Sequence, residues 1–245
     1  MKNLVVACLL SAICCACRKL PPSFTRCNAS AADFDSCLTA AVPAAIRQLK
    51  TPLPRVRLPS LDPLEIPAMS IAPGPGVLHY QQNYTNMKLA GFTDIACESV
   101  KMSFEMARMT MRCSTPQIRV DTEYFFNGTI MVLPLYGNGT GSIVFDRLKC
   151  FHQFDFEEYE KKGKKYLKVV NSSLSIDPEW ITFKFDNLYD GDQVLGNNVN
   201  LVMNDNWREI FADAQPSIEE GFTLVFSYLF NNLLSRVPLS ELFDR

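Results

Sequence analysis

The chain has 245 residues, 47% of them hydrophobic and 20% charged, with a formal net charge of -2. That length holds one large domain or two small ones with a sizeable core, and the composition is that of a globular rather than a disordered protein. Lys161–Lys165 is the longest basic run, so nucleic acid is excluded as a partner on charge; KKGKK reads as a solvated turn between strands.

At the N-terminus Lys2 precedes an apolar run from Leu4 to Cys15, and small residues follow. The pattern predicts a secretory signal peptide over residues 1–17, cut after Ala16 or Cys17, followed by a single domain over 18–245. The run is too short for a transmembrane helix and no later stretch replaces it, so no stable membrane insertion is expected. A retained N-terminal anchor is the other reading. Of nine cysteines, Cys27, Cys37, Cys97, Cys113 and Cys150 lie beyond the signal. A secreted, extracellular chain is expected to form disulfides, but five cysteines, or six if the cut after Ala16 leaves Cys17, leave the full pairing open. Asn28, Asn83, Asn127, Asn138 and Asn171 each begin an Asn-x-Ser/Thr glycosylation sequon. Two of them, Asn127 and Asn138, fall in apparent hairpin turns.

After a Leu20-Pro-Pro-Ser-Phe24 lead to Cys27, a helix is predicted from Asp33 or Asp35, whose carboxylates suit the orphan amides of a helix start. It runs through Cys37, Leu38, Ala41, Ala45, Ile46 and Leu49. Pro43 inside it is expected to kink or restart it. Cys27 and Cys37 are spaced for a local disulfide, with two pairs to distant cysteines as the alternative. Thr51–Pro67 is proline-rich and is expected to run extended as a covering segment outside the central sheet. The APGPG at 72–76 reads as a turn.

From about Val77 strand patterning takes over. Residues 94–112 alternate loosely through Val100, Met102, Phe104, Met109 and Met111. Two strands with a turn near Glu105–Ala107 set Cys97 roughly opposite Cys113, giving either a cross-strand disulfide or two buried thiols. Ile118–Phe126 and Thr129–Leu135, joined by Asn127-Gly128, carry the pattern of a type I′ hairpin. A second turn is expected at Gly137–Gly141. A strand from Ser142 through Cys150 towards Tyr159, a turn at Lys161–Lys165, and strands at Tyr166–Val170 and Trp180–Phe185 follow. Val77–Leu188 thus reads as a long antiparallel meander with helices at both ends.

The last helix is expected to begin at Pro216, with Asn206–Ile210 as a separate lead-in. Ile218, Phe222, Val225, Leu229 and Leu233 recur at helical spacing. Leu224–Phe230 is apolar almost all round, which implies a position inside the protein. An ordinary core helix is one reading. The other is a helix wrapped by a curved sheet, with room for an apolar ligand between them.

Patterns that would carry catalysis are weak. Gly137–Gly141 lacks the third glycine and the following helix of a dinucleotide loop. The run from Asp186 to Asn197 lacks the carboxylates of a calcium loop. His79 and His152 are the two histidines and neither has a motif-spaced metal partner, so no metal and no cofactor is expected. An esterase would have to recruit one of them without a recognisable nucleophile context, and the chain is expected not to be an enzyme. What remains is apolar supply: nine methionines and seventeen phenylalanines, suited to a core or to an adaptable pocket.

Several stretches together resemble the insect takeout and juvenile hormone-binding family. They are LPSLDPLEI at Leu58–Ile66, NMKLAGFTDI at Asn86–Ile95, and the spaced Tyr124, Gly128, Leu133-Pro134-Leu135 and Gly137-x-Gly139. FKFDNLYDGDQVLG from Phe183 and MNDNWREI from Met203 complete the set. The resemblance covers almost the whole chain after the signal, in order, and places Cys27 and Cys37 at the family's N-terminal disulfide. Lys50-Thr51 stands where a glycine is usual, and Cys97, Cys113 and Cys150 do not match the later disulfide of the hormone-binding branch. Both departures favour the takeout-like, circadian clock-controlled branch. The resemblance implies an α+β, tubular lipid-binding fold in which a strongly curved antiparallel sheet wraps a long C-terminal helix. It implies a secreted carrier of a juvenile hormone-like terpenoid, fatty acid or similar lipid, in circadian, feeding or chemosensory physiology. A secreted signalling or structural protein of the same fold, acting through an unidentified receptor, is the alternative. The expected lining is Ile218, Phe222, Val225, Phe226 and Leu229 from the helix, with Met102, Phe104 and Phe126 from the sheet. Tyr124 or Tyr228 is expected to supply the hydroxyl that orients a polar head.

Overall fold

The structure, a computed structural model, describes residues 19–244. The predicted signal peptide, with its cleavage junction, lies outside the described residues. A short strand β1 (Cys27–Asn28) leads into helix α1 (Phe34–Gln48). Then come β2 (Leu64–Ile71), β3 (Leu78–His79), β4 (Gln82–Ala90) and β5 (Ala96–Ser103). Two very long strands follow, β6 (Arg108–Ile130) and β7 (Leu133–Lys161), and then β8 (Lys164–Asp177) and β9 (Trp180–Phe185). The chain ends with α2 (Gln193–Asp205), α3 (Trp207–Leu234), α4 (Leu239–Leu242) and β10 (Phe243–Asp244). β10 pairs with β1 and brings the two ends of the described chain together.

The β6–β7 hairpin is the spine. Its 29-residue strand would span roughly 95 Å if flat, so twist must curl it. Each long strand is paired in sections on its outer side. β6 takes β5, β4 and β3 in turn, with β2 beyond β4; β7 takes β9 and then β8. The changeover on β7 falls at Arg147, which has φ 46°. Pro116, unpaired across from it, has no N–H to give the ladder. Turns occur where side chains permit them: Lys162 and Gly163 both adopt positive φ between β7 and β8.

The helices meet the free margins of this sheet with polar side chains. On α1, Thr39 Oγ1 accepts from Val100 N (2.9 Å) and Asp35 Oδ1 from Met102 N (3.3 Å) at β5. On α2, Asn204 and Asn200 each bond both the N–H and the carbonyl of one β9 residue, Phe183 and Phe185. On α3, Asn231 does the same for Val169 of β8, and Glu219 and Gln215 take Ile176 N and O. Asp213 of α3 accepts from Gly76 and Leu78 beside β3. Helix α3 also packs on β2, where a Cβ at Gly221 would lie 3.2 Å from Met69 Sδ. It therefore closes the curved sheet between β8 and β2.

Several expectations are corrected. Asn127-Gly128 is not a turn. β6 runs through it to Ile130, and Gly128 is needed because a Cβ there would lie 2.5 Å from the Tyr80 Cβ. Gly137–Gly141 is likewise strand; a Cβ at Gly139 would meet Asp186 O at 2.5 Å and one at Gly141 the Phe185 ring at 2.5 Å. Asn127 and Asn138 are consequently exposed mid-strand positions. Asn28 and Asn171 are exposed too, and Asn83 is half-buried. Neither Pro43 nor Pro216 breaks its helix, and α3 starts at Trp207. The bonds of Asp213, Gln215 and Glu219 flank Pro216 and hold both sides of it in line. Asp33 makes no side-chain cap, and Asp35 serves β5 instead. Helix α2 was not expected; Asp192, read as part of a poor calcium loop, caps it by accepting from Val194 and Leu195. Pro67 does lie in the sheet, but in the marginal strand β2, at a position without a ladder partner. Cys27–Cys37 and Cys97–Cys113 are disulfides and Cys150 is free.

Removing one of these margin contacts should be costly. Asn204→Ala leaves Phe183 N and O unpaired, and about 2 kcal/mol should be lost. Urea unfolding checks it: the midpoint should fall with little change in slope.

Candidate functional site

The inner face of α3 carries an aromatic seam. Phe226 stacks on Phe92 at 5.2 Å and on Phe222 at 6.1 Å, and meets His152 of β7 edge-on at 5.7 Å. His152 in turn lies on Phe154 at 3.8 Å, and Phe154 reaches Phe230 at 4.8 Å. Alternation along β7 turns Leu148, Cys150, His152, Phe154 and Phe156 to one face. Two apolar clusters fill the molecule, a large one and a smaller one beneath α1, and Phe226 packs against both. Ile218, Phe222, Val225 and Phe226 pack on this interior yet stay only half-buried, while Leu229 is buried.

The structure brings these five helix residues to one wall. It does not bring all the expected sheet residues to them. Met102 lies in the smaller cluster, which Phe226 borders. Phe104 is 42% exposed at the β5–β6 turn, against Phe34 and Phe243. Phe126 is 1% exposed at the centre of a separate aromatic group with Tyr80, Tyr84, Tyr124 and Phe185. Neither proposed head-group hydroxyl is free in the interior. Tyr124 Oη donates to Asp186 O (2.7 Å), and Tyr228 is 67% exposed. Tyr228 shares its outward face with Leu224, one helical turn away and 66% exposed, so Leu224–Phe230 is not enclosed all round. Phe92, Met69 and His152 were missed, although the Cys150-x-His152-x-Phe154-x-Phe156 alternation signalled the last.

The interior is electrically quiet. Burial pushes His152 down to about 4 and the Cys150 thiol up to about 11, so both are neutral at pH 7. Burial also pushes Tyr124 up to about 12 and raises Tyr80 and Tyr84 further. No group of three or more His, Cys, Asp or Glu among the described residues is placed to hold a metal ion. No described helix is long and apolar enough to cross a membrane.

Two adjoining clefts of about 490 and 480 Å³ open outside, at the β8–β9 turn and the start of α3. Arg147, Glu179 and Arg208 line both, and Arg147 is ion-paired to Glu179. A charged, open lining of this kind suits water better than an apolar ligand, so the α3 seam is the stronger site.

Residues 4–244 match the family model for haemolymph juvenile hormone binding protein. Two curated relatives are each described as circadian clock-controlled protein daywake. The Drosophila melanogaster protein is 22% identical over 97% of this chain and 94% of its own, and the Drosophila yakuba protein 21% over 85% and 84%. Among solved structures, Takeout 1 of Epiphyas postvittana superposes with a TM-score of 0.79 at 19% identity, covering 90% of this chain and 99% of that one. It shares the curved antiparallel sheet and the long C-terminal helix.

The buried imidazole should make the fold acid-sensitive. His152 stays neutral in the fold down to about pH 4, whereas an unfolded histidine takes its proton near 6.5. Its contribution is therefore complete above pH 6.5 and is lost as pH falls from 6.5 to 4, by up to about 3 kcal/mol. Urea unfolding at pH 7 and pH 4.5 should show a clearly smaller acid loss in His152→Leu than in the wild type.

Proposed function

The chain belongs to the haemolymph juvenile hormone binding protein family, and from that premise we propose that it is a secreted, non-enzymatic carrier of a small hydrophobic ligand held between α3 and the curved sheet. One observation carries the reading: Ile218, Phe222, Val225 and Phe226 pack inward on a neutral apolar wall yet remain only half-buried, so apolar surface is left for a ligand to cover. Side chains of this kind exchange one apolar contact for another at small cost, whereas a locked core does not. Burial of ligand supplies the affinity at about 25 cal/mol per Å² of apolar surface, less the cost of ordering it. A chain of roughly a dozen carbons or more then reaches micromolar binding with few polar contacts. The ligand class is a terpenoid, fatty acyl chain or similar lipid. Because two relatives are named as clock-controlled, a rhythmically regulated role is the physiological setting proposed.

Native mass spectrometry of the protein secreted from insect cells tests this. An apolar molecule should co-purify, or a fluorescent fatty acyl or terpenoid probe should bind. If neither happens, the carrier reading fails and a ligand-free protein acting through a receptor takes its place. Two substitutions separate lining from core. Phe126→Ala, in the packed aromatic group, should cost about 3–5 kcal/mol in urea unfolding. Phe222→Ala should cost less and shift preference towards bulkier ligands in probe displacement.

A further inference from the structure

Resting on the carrier reading, we infer that His152 is the polar recognition residue of the interior: its Nε2 forms one hydrogen bond with a neutral oxygen, an ester or ketone carbonyl or a hydroxyl, on an otherwise apolar ligand. The side chain is 8% exposed and Nε2 has no hydrogen-bond partner. A buried polar atom in that state is costly unless something it binds repays it. The imidazole stands on the sheet wall directly against Phe226, the ring that joins Phe92, Phe222 and both apolar clusters.

Other polar groups nearby are engaged or lie elsewhere. Tyr124 is bonded to Asp186, Tyr84 to Gln82, and Ser227 to Ser172. Gln82 Nε2 and Trp207 Nε1 are also buried without partners, but Gln82 belongs with Tyr84 in the aromatic group and Trp207 lies under Arg208 at the outer cleft. Asn232 Nδ2 sits beside Arg236 near the end of α3.

The chemistry of the ring selects the class of oxygen. His152 is neutral, and so is Cys150, two residues before it on the same face. A neutral imidazole gives one N–H or one lone pair and no charge. An ionised carboxylate would exchange its hydration for that single donor, a poor trade. An ester, ketone or alcohol gives up far less.

Displacement of N-phenylnaphthylamine by hexadecane, methyl palmitate, cetyl alcohol and palmitate, on the full chain and on His152→Leu, decides the matter. The wild type should prefer the ester and the alcohol to hexadecane by roughly five- to tenfold, the range one net hydrogen bond supplies, and should also prefer them to palmitate. His152→Leu should still bind hexadecane and should erase that preference. A preference that survives in the variant, or palmitate as the wild type's best ligand, overturns the assignment. Should the variant not fold, nitrogen NMR of isotope-labelled histidine in the wild type answers instead. The chain has two histidines, and an Nε2 signal must move with methyl palmitate and not with hexadecane. Signals that stay put overturn it. A wild type that takes up neither probe nor lipid refutes the carrier reading itself, and this inference with it.

Discussion

The structure depends on satisfying the margins of an open sheet. A strand at an edge presents N–H and carbonyl groups that must find partners or water, and a curled sheet turns some of them inward. This chain meets that constraint with helix side chains. Thr39 and Asp35 serve β5, Asn200 and Asn204 serve β9, and Gln215, Glu219 and Asn231 serve β8. An asparagine is well suited, since its amide reproduces both the donor and the acceptor of a neighbouring strand. The helices thus continue the hydrogen-bonding of the sheet where strands stop. Their register is fixed by atoms rather than by apolar contact alone.

From this follows the shape of the interior. The β6–β7 hairpin supplies a long curved wall, and Gly139 and Gly141 let the β9 end of the sheet approach closely. Helix α3 then spans from β8 to β2 with its inner face on that wall and Leu224 and Tyr228 outside. The disulfides act on the α1 side of this interior. Cys27–Cys37 ties the lead to α1, and Cys97–Cys113 joins adjacent strands, with Cys150 the next in register.

The antiparallel character of the middle of the chain, the lysine turn, the WITFKF strand and the inward stripe of α3 were legible in the sequence, because each follows from local periodicity or turn chemistry; the pairing was not, since β3, β4 and β5 all pair with β6 instead of forming a meander. The misreadings share a cause. Asn-Gly at 127–128 and the three glycines at 137–141 suit turns by conformation, but here glycine is required by the approach of Tyr80, Asp186 and Phe185 from distant parts of the chain. The roles of Asn200, Asn204 and Asn231 leave no local signal, because their partners are backbone groups of strands elsewhere in the chain. Tyr228 was assigned inward because apolarity around Leu224–Phe230 hides helix phase. His152 could be placed on the inner face by alternation, but its neighbour Phe226 comes from another element.

A helix that lines a ligand site faces opposing demands. Full packing of its apolar face would stabilise it and leave nothing for a ligand to contact. Loose packing invites it to detach. In α3 the demands are separated by position. Asp213, Gln215 and Glu219 anchor the first half, and Ser227 and Asn231 anchor the second. The half-buried Ile218, Phe222, Val225 and Phe226 lie between or among these anchors. Because directional bonds at the margins fix the helix, the position of α3 does not rest on full packing of its inner side chains, and Phe226 meets His152 from a backbone that the sheet edges hold in place.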